Sequence, residues 1–308
     1  MKKKAYGGLM KIGFDIGGSK TKVLVLDGEW QTYTIVGSFG TASDSDDIID
    51  ELLDGIKRLE LGAHPEKIIV NLGGKNKRQI KNTILSVFPD ADIEIYRESE
   101  GDIALGMMRA FGADIVVMAG TGTIAFGDGA GGKRCVLDGW GQDIGDRGSG
   151  YYLGMSAIQR TLMELDSAAD SLTPIAKRIS HRDTPFAFSE MKEYTAARDA
   201  VRSVLPKSRG DIAALAKDIV ELAREGCPLS LELVRSVGAE LANTVVMVAR
   251  KIESKAPAVV INGGITGFSD LWVDELRRVA GESITLSALY ITNEGIENAL
   301  KYMLGEEQ

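Results

Sequence analysis

Cysteine and histidine are nearly absent from this chain, which holds two of each: Cys135 and Cys227, His64 and His181. The two cysteines lie far apart and no CxxC spacing occurs, so neither a zinc site nor a Cys/His nucleophile system is expected. Free thiols in such low number fit a reducing cytoplasm. No stretch approaches the roughly 18 apolar residues that a bilayer span requires, so no membrane partner is expected. The opening Met-Lys-Lys-Lys is basic but lacks an apolar signal core, and it reads as a short extension. A basic surplus is missing too: 36 Lys and Arg stand against 44 Asp and Glu, a formal charge of -8. A surface for nucleic acid is therefore not expected, and any anionic ligand must be held by local groups. Low-complexity segments and solenoid repeats are also absent.

What is present is enough chain, 308 residues, for two domains each with its own core. Residues 11–27, KIGFDIGGSKTKVLVLD, are two apolar runs flanking a Gly-Gly turn, which predicts a β-hairpin with a loop of interest. A third strand is expected over Thr32–Gly37 and an amphipathic helix over Ser45–Leu61. Lys67–Leu72 reads as a buried strand, Asn76–Phe88 as a helix and Asp92–Tyr96 as a strand. From about Asp114 the pattern restarts, with IVVMAGTGTIAFGDG again strand, glycine turn, strand. Helical spacing fills Tyr151–Lys255, notably Ile212–Arg224 and Leu231–Ile252. Ala258–Ile261 is then a buried strand, and Asn293–Leu304 a closing helix.

Three glycine turns carry the chemistry. In Asp15-Ile-Gly-Gly-Ser-Lys-Thr21, Gly17 and Gly18 let backbone amides approach a phosphate, Ser19 and Thr21 offer hydroxyls, Lys20 offers charge, and Asp15 is placed to hold hydrated magnesium. The plainer reading is a hairpin turn with a buried aspartate. Gly120-Thr121-Gly122-Thr123 repeats the same logic in the second half, its threonine hydroxyls facing the ligand. Asn262-Gly263-Gly264 follows a strand and precedes a helix expected near Ser269. That turn suits either a flat adenine or ribose against backbone or a tight strand-to-helix connection.

In order and strand context these turns resemble the two phosphate motifs and the adenosine motif of the actin, hexokinase and Hsp70 superfamily. Gly139-Trp140-Gly141 with Gly145-Asp146-Arg147-Gly148-Ser149-Gly150-Tyr151-Tyr152-Leu153-Gly154 is similar to the signature of the N-acetylglucosamine kinase and BadF/BadG/BcrA/BcrD ATPase group. The resemblance runs from about residue 11 to 300. It implies an α/β fold of two ribonuclease H-like, actin-like ATPase domains around a central nucleotide cleft, using ATP and Mg2+. The expected domains are 1–112, with the helix of about 291–308 packing back on it, and 113–290 with a helical insertion.

The family places an aspartate base before the second phosphate strand. Counting back without a gap puts Glu100 there, one methylene longer than aspartate, and Asp102 is the alternative; acidic helix capping is the bland reading. Asp146 is expected near magnesium or a sugar hydroxyl. Trp140 reads as an apolar wall for a sugar ring or as a core residue. Arg147 stands where sugar kinases of this group carry an acid, which favours an anionic acceptor unless it is a surface ion pair. Lys75 and Asn76 would add to such a site. The resulting expectation is a cytoplasmic, homodimeric ATP-dependent kinase of a small sugar or sugar acid, such as N-acetylglucosamine or 2-keto-3-deoxygluconate. The rival is an ATPase activator of a 2-hydroxyacyl-CoA dehydratase, which would need clustered cysteines for an iron–sulfur centre.

Overall fold

The computed structural model describes residues 10–16, 20–36, 46–61, 64–72, 77–96, 101–188 and 190–305. The chain divides into two units, Met1–Gly112 with Glu294–Gln308, and Ala113–Asn293.

In the first unit, strands β1 (Lys11–Ile16), β2 (Lys20–Asp27) and β3 (Glu29–Val36) run antiparallel. The third strand begins three residues before the expected Thr32, because Gly28 (φ 78°) turns the chain tightly enough for Asp27 to face Glu29. Helix α1 (Asp46–Arg58), β4 (Lys67–Leu72), α2 (Lys77–Val87), β5 (Asp92–Tyr96) and α3 (Gly101–Phe111) follow. The sheet order is β3-β2-β1-β4-β5, with β1, β4 and β5 parallel. Alternation along β1 sends Ile12, Phe14 and Ile16 into a core shared with Leu52, Ile56, Ile80 and Ile84. Full burial of each such side chain contributes about 1.5–3 kcal/mol.

The second unit repeats that plan. Strands β6 (Ile115–Ala119), β7 (Thr123–Asp128) and β8 (Arg134–Asp138) are antiparallel. Then come α4 (Gly150–Leu165), α5 (Pro174–Ser180), α6 (Met191–Val204), α7 (Arg209–Ala214), α8 (Ala216–Arg224) and α9 (Pro228–Lys251). Strand β9 (Ala258–Asn262), a 3-10 helix over Gly264–Leu271, α10 (Val273–Gly281) and β10 (Ala288–Thr292) complete it. The order β10-β9-β6-β7-β8, with β6, β9 and β10 parallel, is the first sheet's topology again. The helices α4–α9 occupy the connection that α1 alone makes in the first unit.

Two helical expectations change. The run from Ile212 to Arg224 belongs to two helices, α7 and α8, separated at Leu215, whose backbone remains right-handed (φ -58°, ψ -21°). The segment after Gly264 starts as 3-10 helix, and α10 begins only at Val273. Buried Trp272 sets that change, its indole N–H donating to the Ile265 carbonyl at 3.1 Å.

The closing helix α11 (Gly295–Met303) lies on α3 and β1 of the first unit. Its contact is made through small residues: a side chain at Gly106 would press on Met303 and Ala299, and one at Gly13 on Leu300 and Leu304. Lys11 Nζ donates to the Leu304 carbonyl at 2.7 Å, fastening the end of that helix. The fold is thus α/β with two actin-like, ribonuclease H-like halves.

Candidate functional site

The hairpin between β6 and β7 turns through Gly120, Thr121 and Gly122. Its carbonyls are taken up by the first turn of α4: the amide of Gly150 donates to Gly120 O at 2.8 Å, and that of Tyr151 to Thr121 O at 3.1 Å. Gly120 closes the turn on Gly122 O at 2.9 Å. Among the described residues, the amides of Thr121 and Gly122 then have no partner, and two adjacent unpaired N–H groups at a turn make a nest that could receive an anion. Thr121 is exposed. Thr123, expected to turn its hydroxyl to a ligand, is buried, and its Oγ1 has no protein partner.

The nest is braced from behind. Asp146 is 2% exposed, yet both of its oxygens are engaged. Oδ1 accepts from the Thr123 amide at 3.0 Å and Oδ2 from Arg209 at 2.6 Å. Asp138 holds Asp146 in turn, accepting from the amides of Asp146 at 2.9 Å and Arg147 at 3.2 Å. Asp138 and Asp146 both sit at φ 62°, a left-handed conformation that Asp tolerates better than most side chains. The loop they clamp leaves Trp140 73% exposed and Ile144 78% exposed, so Trp140 is not a core residue. Arg147 is half-exposed and reaches Asp138 at 3.5 Å.

The glycines of the 148–154 segment have a packing reason. A Cβ at Gly154 would strike the Ile212 carbonyl, and one at Gly150 would press on Gly120 O and Ala213 O. Their absence lets α7 lie on the start of α4, which brings Arg209 to the nest.

Gly120 and Gly263 follow the carboxyl ends of the adjacent parallel strands β6 and β9, where open α/β sheets collect ligands. Gly263 (φ 125°) admits no side chain, because a Cβ would run into Ala119 O. Gly264 and Gly267 face open space. They line a groove of about 710 Å³ together with Phe268 and with Ala213, Ala216, Lys217 and Val220 of α7 and α8. The groove is mostly apolar with charged groups at its edge, the composition that suits an aromatic heterocycle.

In the first unit, Asp15 stands one residue from the end of β1 and accepts from Asn71 Nδ2 at 2.8 Å. Thr21 is fully buried at the start of β2, and among the described residues its Oγ1, like that of Thr123, has no partner. A buried, unpaired hydroxyl costs about 1–3 kcal/mol. Both stand within the first two residues of a strand, β2 and β7. Gly17, Gly18, Ser19, Lys75, Asn76 and Glu100, and the side chain of Lys20, lie outside the described residues. Asp102 is half-buried in the first turn of α3.

Sequence reasoning missed Asp138 and Arg209. Asp138-Gly139 is a turn dipeptide that could have pointed to the first. Arg209 lies 63 residues from its partner Asp146, and nothing local marks it.

A curated relative, the N-acetylmuramic acid/N-acetylglucosamine kinase of Clostridium acetobutylicum, is 26% identical over 282 residues, covering 87% of this chain and 89% of that one. The fold is shared with a Porphyromonas gingivalis protein described as a candidate N-acetylglucosamine kinase: TM-score 0.64, 17% identity, covering 97% of this chain and 99% of that one. It is shared also with a ROK family glucokinase of Streptomyces griseus solved with glucose and AMPPNP: TM-score 0.55, 16% identity, 96% of this chain and 98% of that one. A family model matches residues 12–285, and the chain belongs to the BadF/BadG/BcrA/BcrD ATPase family.

Proposed function

We propose that this protein is an ATP-dependent carbohydrate kinase that phosphorylates a hydroxyl of a small amino sugar, neutral or acidic. The observation that carries the reading is the braced nest at Thr121 and Gly122 beside an apolar groove bordered by Gly264 and Gly267. It sits in a chain whose Clostridium acetobutylicum relative is a kinase of N-acetylmuramic acid and N-acetylglucosamine. The amides of Thr121 and Gly122 would hold phosphate oxygens, and the groove the adenine ring.

Bound ATP supplies the γ-phosphoryl group, and magnesium offsets its charge. Among the described residues no three His, Cys, Asp or Glu side chains gather into a metal site. Asp15 is proposed as a carboxylate for a hydrated ion carried chiefly by the nucleotide, the usual habit of Mg2+. Gly17, Gly18, Ser19, Lys20 and Thr21 are proposed as the first phosphate loop. Asp102 or Glu100 takes the proton of the acceptor hydroxyl. Asp146, with both oxygens occupied, is assigned to positioning the nest instead of touching the sugar. Trp140 and Arg147 remain on the acceptor side. Exposed indole suits a sugar face, and a half-exposed guanidinium suits the carboxylate of an acidic amino sugar, with Lys75 and Asn76 as further polar contacts.

The test is an Asp15→Ala variant assayed with ATP and N-acetylglucosamine in a coupled ADP-release assay. Turnover should vanish while the melting temperature stays within a few degrees. Full activity in the variant would refute the magnesium assignment.

A further inference from the structure

Arg209 belongs to a short helix of the insertion, yet its guanidinium is delivered to the phosphate turn. One of its nitrogens is bound to Asp146 at 2.6 Å. The same nitrogen occupies the space that a side chain at Gly122 would need, so the guanidinium lies against the Gly122 backbone. A Cβ at Gly122 would meet this nitrogen and also the Asp146 carboxylate that holds it, so glycine here leaves room for the pair. Among the described residues Asp146 is the sole polar partner of Arg209, and its side chain is 42% exposed. A guanidinium has five N–H donors, so most of its donating capacity remains next to two unpaired backbone amides.

The partner of Arg209 is not a neighbour on its own short helix. The arginine is held by a nearly fully buried carboxylate, itself fixed by the Thr123 amide and by Asp138. Such bracing removes rotamer freedom and aims the planar fork, as phosphate recognition requires. The far end of the same helix, at Ala213 and Ala214, lines the apolar groove. Helix α7 therefore touches both places where a nucleotide would lie.

We propose that Arg209 is a phosphoryl-binding residue, which together with the amides of Thr121 and Gly122 grips the terminal phosphates of a nucleoside triphosphate. The proposal rests on the kinase reading above and deepens it. It gives the insertion a role in discriminating ATP from its dephosphorylated forms.

The experiment is calorimetric titration of the full chain with ATP, ADP and adenosine in magnesium buffer, for the unaltered protein, Arg209→Met, Arg209→Lys and Gly122→Ala. Arg209→Met should weaken ATP about 10–100-fold, the range for a charge-assisted hydrogen bond, and leave adenosine within about twofold. Arg209→Lys should recover part of the loss, since it restores charge without the fork. Gly122→Ala, whose Cβ would crowd both the guanidinium and the Asp146 carboxylate, should likewise weaken ATP and leave adenosine within about twofold, with a lowered melting temperature. ATP and adenosine weakening in parallel would mean that Arg209 only props up the unit, and unchanged ATP affinity would mean that it touches no phosphate; either overturns the proposal alone. If the unaltered chain bound no adenine nucleotide, the kinase reading itself would fall and take the proposal with it.

Discussion

Asp146 Oδ1 accepts the amide hydrogen of Thr123 at 3.0 Å, so a carboxylate from one loop fixes the exit of another. Asn tolerates the left-handed backbone of this position almost as well as Asp, so Asp146→Asn isolates the charge. The new amide group would face Arg209 in place of a carboxylate oxygen. We expect stability to fall by about 1–3 kcal/mol in urea unfolding, the cost of a disrupted buried hydrogen bond, and kcat/KM to fall roughly 10–100-fold. Unchanged kinetics would remove Asp146 from the phosphate turn.

Trp272 ties the 3-10 helix that carries Gly264 and Gly267 to the core, through burial and its bond to Ile265 O. Trp272→Phe keeps most of the apolar volume but removes the buried hydrogen bond to that carbonyl. The expected cost is about 1–3 kcal/mol, seen as a lower urea midpoint with unchanged slope. Trp272→Ala adds a cavity and should cost about 3–5 kcal/mol. Equal stabilities for the two variants would contradict this account.

Much of the fold was legible because glycine turns and β-alternation are local signals. The paired hairpins at residues 11–27 and 115–128 and the repeated strand order follow from apolar runs broken by Gly-Gly and Gly-Thr-Gly. The start of β3 was misjudged because Trp30 is out of phase with the alternation of Tyr33 and Ile35, and pairing with β2 through the Gly28 turn decides the matter. The break at Leu215 and the late start of α10 were illegible, since tertiary packing sets them. At the site, the nest was readable from Gly120 and Gly122. Its bracing by Asp138 and Arg209 was not, since it depends on α7 returning to a loop far away in sequence.

The identity of the base is decided by comparing Glu100→Gln with Asp102→Asn. Loss of the true base should lower kcat by about 10²–10⁴-fold with little change in KM for ATP, while the other variant stays near full activity. Stopped turnover with intact ATP binding marks the base. Full activity in both would show that neither carboxylate serves.

Cys135 lies half-buried on β8 and Cys227 is buried at the start of α9. Burial pushes the Cys135 thiol up from its ordinary range, and the two cysteines belong to separate elements with no clustered spacing. Protein purified without air should therefore contain no stoichiometric iron or acid-labile sulfide. A brown, cluster-bearing protein would favour the dehydratase activator over the kinase.

The most direct measurement incubates the purified chain with ATP, magnesium and, separately, N-acetylglucosamine, N-acetylmuramic acid, glucose and 2-keto-3-deoxygluconate, with ADP release and product mass followed together. The kinase account predicts stoichiometric ADP and a sugar heavier by one phosphoryl group, with an amino sugar preferred over glucose. ATP hydrolysis at one rate regardless of the sugar, with no phosphorylated product, would contradict it.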